Sequence, residues 1–239
     1  MALPLNVRVF SEAEVPQGSE AWLQMRVGVL TGSRCAPVLV DESKKPSATK
    51  ANLLTELVVE RCTGQTTKAQ TFTAATEAVM AQGLEREPDA IRRFESETLQ
   101  VVKRVGFVYW VGKFAGCSPD GVLGDFDELV SIKCRDLKAH YEHIRKGTIP
   151  ADARRQMAHE LWITGAQRHH YVSFNPSFER KLQYAHVELT RAELDVDAYA
   201  RAAEAFLREV EVEVQAMKQL AEGSGSTWAA AAQEAVSHE

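Results

Sequence analysis

The feature that most constrains the fold is a run of strand-like segments in the middle of the chain. Val101–Trp110 and Val111–Gly116 are rich in Val, Phe, Tyr and Trp, and Leu129–Cys134 alternates apolar and polar residues. Helical patterns lie before this run, at Ala74–Leu99, and after it, at Ala151–Thr164. This order predicts an α/β (α+β) fold in which a central mixed β-sheet is flanked by helices.

Two further strands and a long helix are expected in the last third of the chain. His170–Phe174 and Leu182–Leu189 are strand-like. Thr190 and Glu193 form a capping box, which predicts the start of a helix that extends to about Leu220.

The length of the chain suits one domain with a sizeable core. It has 239 residues, 45% of them hydrophobic, which excludes a mainly disordered protein. We expect a single domain over residues 1–222. Residues 223–239 begin with Gly-Ser-Gly-Ser and predict a flexible linker and an Ala-rich C-terminal tail.

Charge and cysteine spacing restrict the partners and the compartment. The net charge of −5 excludes a generally basic nucleic-acid-binding surface but leaves room for a local basic groove. No apolar segment approaches the ~20 residues that span a bilayer, and the N-terminal residues lack a signal-peptide pattern. The four cysteines lack CxxC spacing. We therefore expect reduced thiols, no membrane contact and a cytoplasmic location.

Glu87 interrupts an apolar stripe on the helix before the strands. The stripe has helical spacing and consists of Met80, Leu84, Ile91 and Phe94. A carboxylate there is costly unless it is paired, protonated or bound to a metal, although it could also lie at the edge of the stripe. Pro88 follows, so the helix is expected either to kink or to restart at that residue.

A polar turn and a polar strand face follow. Ser118-Pro-Asp120-Gly121 is a tight turn, and a serine-hydrolase elbow at Ser118 would need G-x-S-x-G spacing, which is absent. In the next strand Val130, Ile132 and Cys134 share one face, while Ser131 and Lys133 share the other. Taken alone, the turn favours ordinary turn chemistry and the polar strand face favours exposure to solvent.

Taken together, these residues resemble the core of PD-(D/E)xK nucleases, and the full set resembles the phage lambda-type alkaline exonuclease (YqaJ-like viral recombinase) family. The resemblance covers roughly Ala21 to Phe178. Each motif is weak alone, but their order and spacing are specific. They are Ala21–Ser33, Gly83–Ala90 with the pattern G-x-x-x-E-x-x-A, Ser118–Gly121, Ser131–Cys134, and Arg155–Gly165 followed by a strand ending Phe174-Asn-Pro176.

The resemblance implies a Mg²⁺ site, with Mn²⁺ as a possible substitute. Asp120, the carbonyl of Ile132 and Glu87 would hold the metal, and Lys133 would orient or deprotonate the attacking water. The implied activity is 5′→3′ digestion of one strand of linear double-stranded DNA.

The resemblance also implies the contacts with DNA and the partners. Arg26, Ser33, Ser118 and Gln156 would bind DNA and its 5′ phosphate. The partners would be double-stranded DNA ends, a single-strand annealing protein in recombination, and two further copies in a homotrimeric ring. The implied setting is a phage or prophage protein in a bacterial cell.

Ser131 is a departure from this family, which has Glu at that position. Glu128 is three residues from Ser131, so strand alternation places it on the opposite face unless a bulge intervenes. Three explanations stay open: a natural variant that binds metal through the remaining groups, a site silenced by engineering, or a DNA-end-binding relative that no longer cleaves. Restoring the carboxylate with Ser131→Glu should strengthen metal binding.

Two other polar groups carry weaker signals. Lys44, Lys45 and Lys50 could contact DNA phosphates or lie in a solvated loop. The histidine pairs His169-His170 and His140/His143 lack a further matching ligand, so they do not predict a zinc site.

Overall fold

The structure is a computed structural model of the chain. It describes residues 3–4, 6–39, 48–67, 74–134 and 136–223, with the backbone alone described at 74–82 and at 84. Lys44 and Lys45 lie outside the described residues, as does the predicted tail from residue 224 onward.

The described strands form two four-stranded sheets. The first has the order β1-β3-β4-β2 and the second the order β5-β6-β7-β8. A two-residue bridge between Lys103 and Val122 connects them through paired backbone hydrogen bonds of 2.9 Å. The strands are β1 (Val7–Ser11), β2 (Leu30–Thr31), β3 (Val105–Trp110), β4 (Ala115–Cys117), β5 (Gly121–Leu123), β6 (Glu128–Lys133), β7 (Arg168–Phe174) and β8 (Tyr184–Thr190).

Helices cover both sides of the second sheet. Helix α3 packs against β6, β7 and β8 on one side, while α4 and α5 pack against the sheet on the other, with α6 beyond α5. The described helices are α1 (Glu20–Met25), a short 3-10 helix (Ala36–Leu39), α2 (Ala48–Thr63), α3 (Ala74–Thr98), α4 (Leu137–Lys146), α5 (Ala151–Thr164) and α6 (Val196–Gly223).

Strand β6 separates two apolar clusters. Val130 and Ile132 pack with Phe94 of α3, whereas Leu129 belongs to the larger cluster formed with α2, α5 and α6. Successive side chains of a strand point to opposite faces, so neighbouring residues of β6 enter different clusters. Strand β6 therefore contributes side chains to the apolar clusters on both sides of the second sheet.

The predicted mixed sheet flanked by helices is confirmed, but the strands are divided between two sheets rather than one. The strand predicted at Val101–Trp110 begins only at Val105, and residues 111–114 form a turn. That segment makes the reversal that pairs β3 with β4.

Other boundaries also differ from expectation. Helix α3 continues through Pro88, so it does not restart there. The expected linker residue Gly223 is the last residue of α6. Strand β1 and helix α4 were not predicted; they have only five and ten residues. None of the helices in the described ranges is both long and apolar enough to span a membrane.

Candidate active site

The hairpin β5–β6 brings Asp120 to the end of β6. Asp120 immediately precedes β5, and Gly121 pairs with Val130. The Ile132 amide donates a 2.7 Å hydrogen bond to Asp120 Oδ2. The Lys133 Nζ atom lies 3.7 Å from the same oxygen. The turn and the strand, which are separate in the sequence, thus form one polar site.

Glu87 reaches the same site from α3. Its carboxylate lies 2.8 Å from the Arg104 guanidinium, and its side chain is 15% exposed. Burial raises the pKa of Glu87, the negative charge of Asp120 raises it further, and Arg104 opposes both effects. The predicted cluster of Glu87, Asp120 and Lys133 is therefore assembled, with two carboxylates close enough to influence each other.

The chemistry of these donors fits a hard divalent cation. Mg²⁺ prefers oxygen ligands and keeps several waters, so two carboxylates and a carbonyl such as that of Ile132 form a suitable partial set. A cation between Asp120 and Glu87 would also relieve their mutual repulsion. No described group of three or more His, Cys, Asp or Glu side chains could hold a metal by itself.

Ser131 lies on the same face of β6 as Lys133 and is buried, with 2% exposure. Its Oγ has no hydrogen-bond partner among the described residues. Glu128 does not take its place, because β6 is regular and the Glu128 carboxylate bonds His170 Nε2 at 2.7 Å on the other face. The separation of Glu128 from Ser131 predicted by strand alternation is observed.

Helix α5 contributes a polar network that the sequence analysis missed. Gln156 Nε2 donates to Glu160 Oε1 at 2.8 Å, and the other Glu160 oxygen is 2.6 Å from His169 Nε2. Glu160 is 1% exposed and His169 is fully buried. The signal was present, since Glu160 follows the buried Met157 by three residues in a helix, as Glu87 interrupts its own stripe.

Arg26 forms a second polar centre with Ser33. Its Nη2 donates to Ser33 Oγ at 2.7 Å, and its guanidinium lies 4.0 Å from the ring centroid of Trp22. No described carboxylate forms an ion pair with it, whereas the nearby Arg34 is paired with Glu60. Burial, then the charge of Arg34, lowers the pKa of Arg26 to about 10. Arg26 therefore remains positive at neutral pH, as an anion site requires.

The two polar centres are linked through neighbouring loops and helices. A Cβ placed on Gly32 would lie 3.1 Å from Gln156 Cγ, so the loop that carries Ser33 packs directly on α5. Ser118 Oγ accepts a 2.8 Å hydrogen bond from Trp22 Nε1 and donates one of 2.9 Å to the Gly106 carbonyl. The Ser118 hydroxyl hydrogen is thus used inside the protein, and no described histidine contacts that hydroxyl as a hydrolase triad would require.

The weaker predictions are also placed by the structure. Lys50 lies 3.4 Å from Glu209 in an ion pair. His140 bonds Ser173 and the Leu182 carbonyl, both at 2.8 Å, and these contacts account for both of its ring nitrogens.

Comparison with known proteins identifies similar sequences and folds. The sequence profile of the YqaJ-like viral recombinase domain matches residues 21–167. The crystal structure of the alkaline exonuclease LHK-Exo from Laribacter hongkongensis is 31% identical, with a TM-score of 0.73 over 85% of this chain and 98% of that one. Its complex with dAMP gives 30% identity and a TM-score of 0.72 over the same shares of both chains.

A more distant structure supports the fold alone. The phage related exonuclease from Haemophilus somnus 129PT is 11% identical, with a TM-score of 0.59 over 80% of this chain and 96% of that one. Among curated proteins, no sequence matches significantly.

Proposed function

The chain belongs to the YqaJ-like viral recombinase family, and from this we propose that it is a Mg²⁺-dependent deoxyribonuclease that digests one strand of linear double-stranded DNA from its 5′ end. The observation that carries the proposal is the meeting of Asp120, Glu87 and Lys133 at the end of β6. The family and its alkaline exonuclease neighbours support DNA exonuclease activity.

Each residue of the cluster has a proposed role. Asp120, Glu87 and the carbonyl of Ile132 would hold Mg²⁺, which when bound polarises the phosphate and lowers the pKa of a bound water. Lys133, 3.7 Å from Asp120, would orient that water and offset negative charge on the scissile phosphate. Since Ile132 donates its amide to Asp120, the carboxylate is held in place before a cation arrives.

Arg26 and Ser33 would hold the 5′ phosphate, with Gln156 beside them. A guanidinium binds phosphate oxygens through two parallel hydrogen bonds, and Arg26 has no described carboxylate to compete for it. The complex of LHK-Exo with dAMP, a nucleoside monophosphate, is compatible with such a site. A direct DNA contact from Ser118 stays a prediction, because the described hydrogen bonds of this residue are internal.

The test uses linear duplex DNA with 5′ phosphates and a different label on each strand. With Mg²⁺ we expect loss of one strand from its 5′ end, and with EDTA or with Asp120→Asn we expect none. Ser118→Ala is a useful comparison, because an esterase based on Ser118 would survive EDTA and lose activity in that variant. Digestion from the 3′ end, or digestion that EDTA does not stop, would contradict the proposal.

A second candidate is a DNA-end-binding relative with weak or no cleavage, and Ser131 is the observation that favours it. The buried serine leaves β6 without the family's carboxylate. Binding without digestion, in the native protein and in the Ser131→Glu variant alike, would select this candidate, whereas digestion by the variant would identify an enzyme silenced at Ser131.

The proposed partners are a single-strand annealing protein and two further copies of the chain in a ring around DNA. A ring suits the net charge of −5, because only its channel needs to be basic. Light scattering in solution tests the ring directly, since a mass near one chain of 26.5 kDa would contradict it.

A further inference from the structure

The proposed site lacks one negative charge on β6, and the space beside Lys133 is occupied by Ser131. The Ser131 hydroxyl is buried, has no partner among the described residues and shares a face with Lys133. A site that binds a divalent cation and a phosphate gains from negative charge near its lysine, because otherwise positive charge accumulates there. The inference below rests on the proposed function.

Glu160 places a carboxylate on this same face of the sheet. Its partner His169 pairs in register with Leu129, two residues before Ser131 on β6, so the His169 and Ser131 side chains share one face. Both oxygens of Glu160 are engaged, one by His169 and one by Gln156. The carboxylate is therefore held on the sheet face that carries Ser131.

The electrostatics of Glu160 connect it to Lys133. Burial would raise its pKa, but the hydrogen bond and charge of His169, then Gln156 and the positive charge of Lys133, lower it overall. Glu160 is thus ionised in the folded protein. Burying an ionised carboxylate costs several kcal/mol before its partners compensate, and an apolar residue is often as stable.

We propose that Glu160 supplies from α5 the negative charge that β6 lacks at Ser131. It is a positioning residue rather than a metal ligand, because both of its oxygens already have partners. It offsets the charge of Lys133, strengthens cation binding at Asp120 and Glu87 through the field, and orients the Gln156 amide. The family's carboxylate on the strand and this chain's Glu160 on α5 would supply the same negative charge from different elements.

The structure contains a matched control on the opposite face of the same strand. Glu128 and His170 form a carboxylate–histidine pair at 2.7 Å, and Glu128 is 21% exposed. This pair lies on the face of Val130 and Ile132, away from Lys133. A general effect of breaking such a pair would appear at both positions, whereas the proposed effect appears only at Glu160.

The test measures Mn²⁺ affinity by calorimetry in the full chain, with thermal unfolding followed on each variant. We expect Glu160→Gln to weaken Mn²⁺ binding by about tenfold, because the variant removes one negative charge that acts through the field. This variant keeps the shape of the side chain. His169 Nδ1 lies 3.3 Å from the His170 carbonyl, so the ring can donate there and accept from the new amide. Glu128→Gln should leave Mn²⁺ affinity unchanged.

The decisive comparison is a double-mutant cycle. If the two carboxylates perform one task, Ser131→Glu improves Mn²⁺ affinity more in the Glu160→Gln background than in the native protein. An equal effect in both backgrounds, or unchanged affinity in Glu160→Gln, overturns the inference. Unfolding of Glu160→Gln without rescue by Ser131→Glu also overturns it, because the role of Glu160 would then be structural.

Failure of the proposed function would give different results from failure of the inference about Glu160. If the native protein binds no Mn²⁺, or if Asp120→Asn does not reduce binding, the metal site itself is wrong. If the native protein binds Mn²⁺ and Asp120→Asn does not, the site stands and only the role of Glu160 is in question.

Discussion

Each face of strand β6 combines at least one apolar side chain with one that can carry a charge, but the two faces place that charge in different surroundings. Towards α3, Val130 and Ile132 pack on Phe94, and Glu128, the first residue of β6, bonds His170 of the neighbouring strand β7. Towards α5, Lys133 and Ser131 lie beside the buried Glu160–His169 pair. The α3 face thus carries one charged pair beside an apolar cluster, whereas the α5 face combines the buried Leu129 with Lys133 and the buried Glu160–His169 pair.

The two faces also differ in how far water reaches their charged groups. On the α3 face a polar pair sits at the rim of an apolar cluster, and water can solvate part of Glu128. On the α5 face Glu160 is buried and its carboxylate bonds His169 and Gln156, whereas 26% of the Lys133 side chain is exposed. We therefore expect substitutions in the Phe94 cluster of the α3 face to act on stability, and substitutions at Lys133 and Glu160 to act on metal binding and catalysis.

The largest expected effect is from Lys133→Met on the α5 face. Loss of the ammonium removes the group proposed to orient the water and offset phosphate charge, which should lower the rate of duplex digestion by about 10²- to 10⁴-fold. Thermal stability should change little, because the Lys133 side chain is partly exposed. Retention of full activity in this variant would contradict the assignment of catalysis to the α5 face.

On the α3 face, Phe94→Ala should reduce the free energy of unfolding by about 3–5 kcal/mol, since it empties a fully buried ring position. The Phe94 ring also contacts His170 and His186 edge-on, at centroid distances of 5.4 and 5.3 Å. Urea unfolding measures the loss. Mn²⁺ affinity of the fraction that remains folded should be unchanged, and a large loss of affinity would contradict the comparison.

Acid should reduce the free energy of unfolding through His159 of α5. This side chain bonds the Tyr199 hydroxyl and the Gly116 carbonyl. Burial lowers the pKa of His159 from 6.5 to about 4. Between these values the unfolded chain binds a proton that the folded chain does not. Stability is therefore lost as pH falls through this window, by about 3 kcal/mol in total.

Unfolding in urea at pH 7 and pH 4.5 measures this loss. The control is His159→Gln, which should be less stable at pH 7 but should show a smaller dependence on pH. An equally steep dependence in the variant would assign the acid sensitivity to other groups, among them His186, whose pKa is also lowered by burial.

The smallest effect is expected at the edge of the α3 face. Arg168 lies 3.6 Å from Glu128 and 3.2 Å from Glu188, and its side chain is 51% exposed. Exposed ion pairs contribute about 0–1 kcal/mol, so Arg168→Ala should barely shift the unfolding midpoint. A shift as large as that of Phe94→Ala would mean that the edge pair belongs to the core.

Sequence patterns predicted this division only in part. Alternation along β6 predicted that Ser131 and Lys133 would share a face and that Glu128 would not, and both are observed. The turn at Asp120 and the helix at Glu87 were found because turn residues and helical periodicity are local signals. Glu160 was missed because its partner His169 lies nine residues away and meets it only after β7 pairs with β6.

The fold, too, could be predicted only where the signals in the sequence are local. Helix α5 was predicted to the residue, and the Gly165 that ends it is a local signal. The division of the strands into two sheets depends on pairings between distant segments, such as β1 with β3, which no local pattern reveals.

The hydrogen bond between Trp22 and Ser118 bears on how far from the 5′ end the DNA would be cleaved. The Trp22 indole stacks on Arg26 and also bonds the turn that carries Asp120, so the two centres are joined by a short chain of rigid contacts. Under the proposed function, the separation between the held 5′ end and the cleaved bond is fixed by the protein rather than by the substrate. Each cleavage would then release a DNA fragment of the same length.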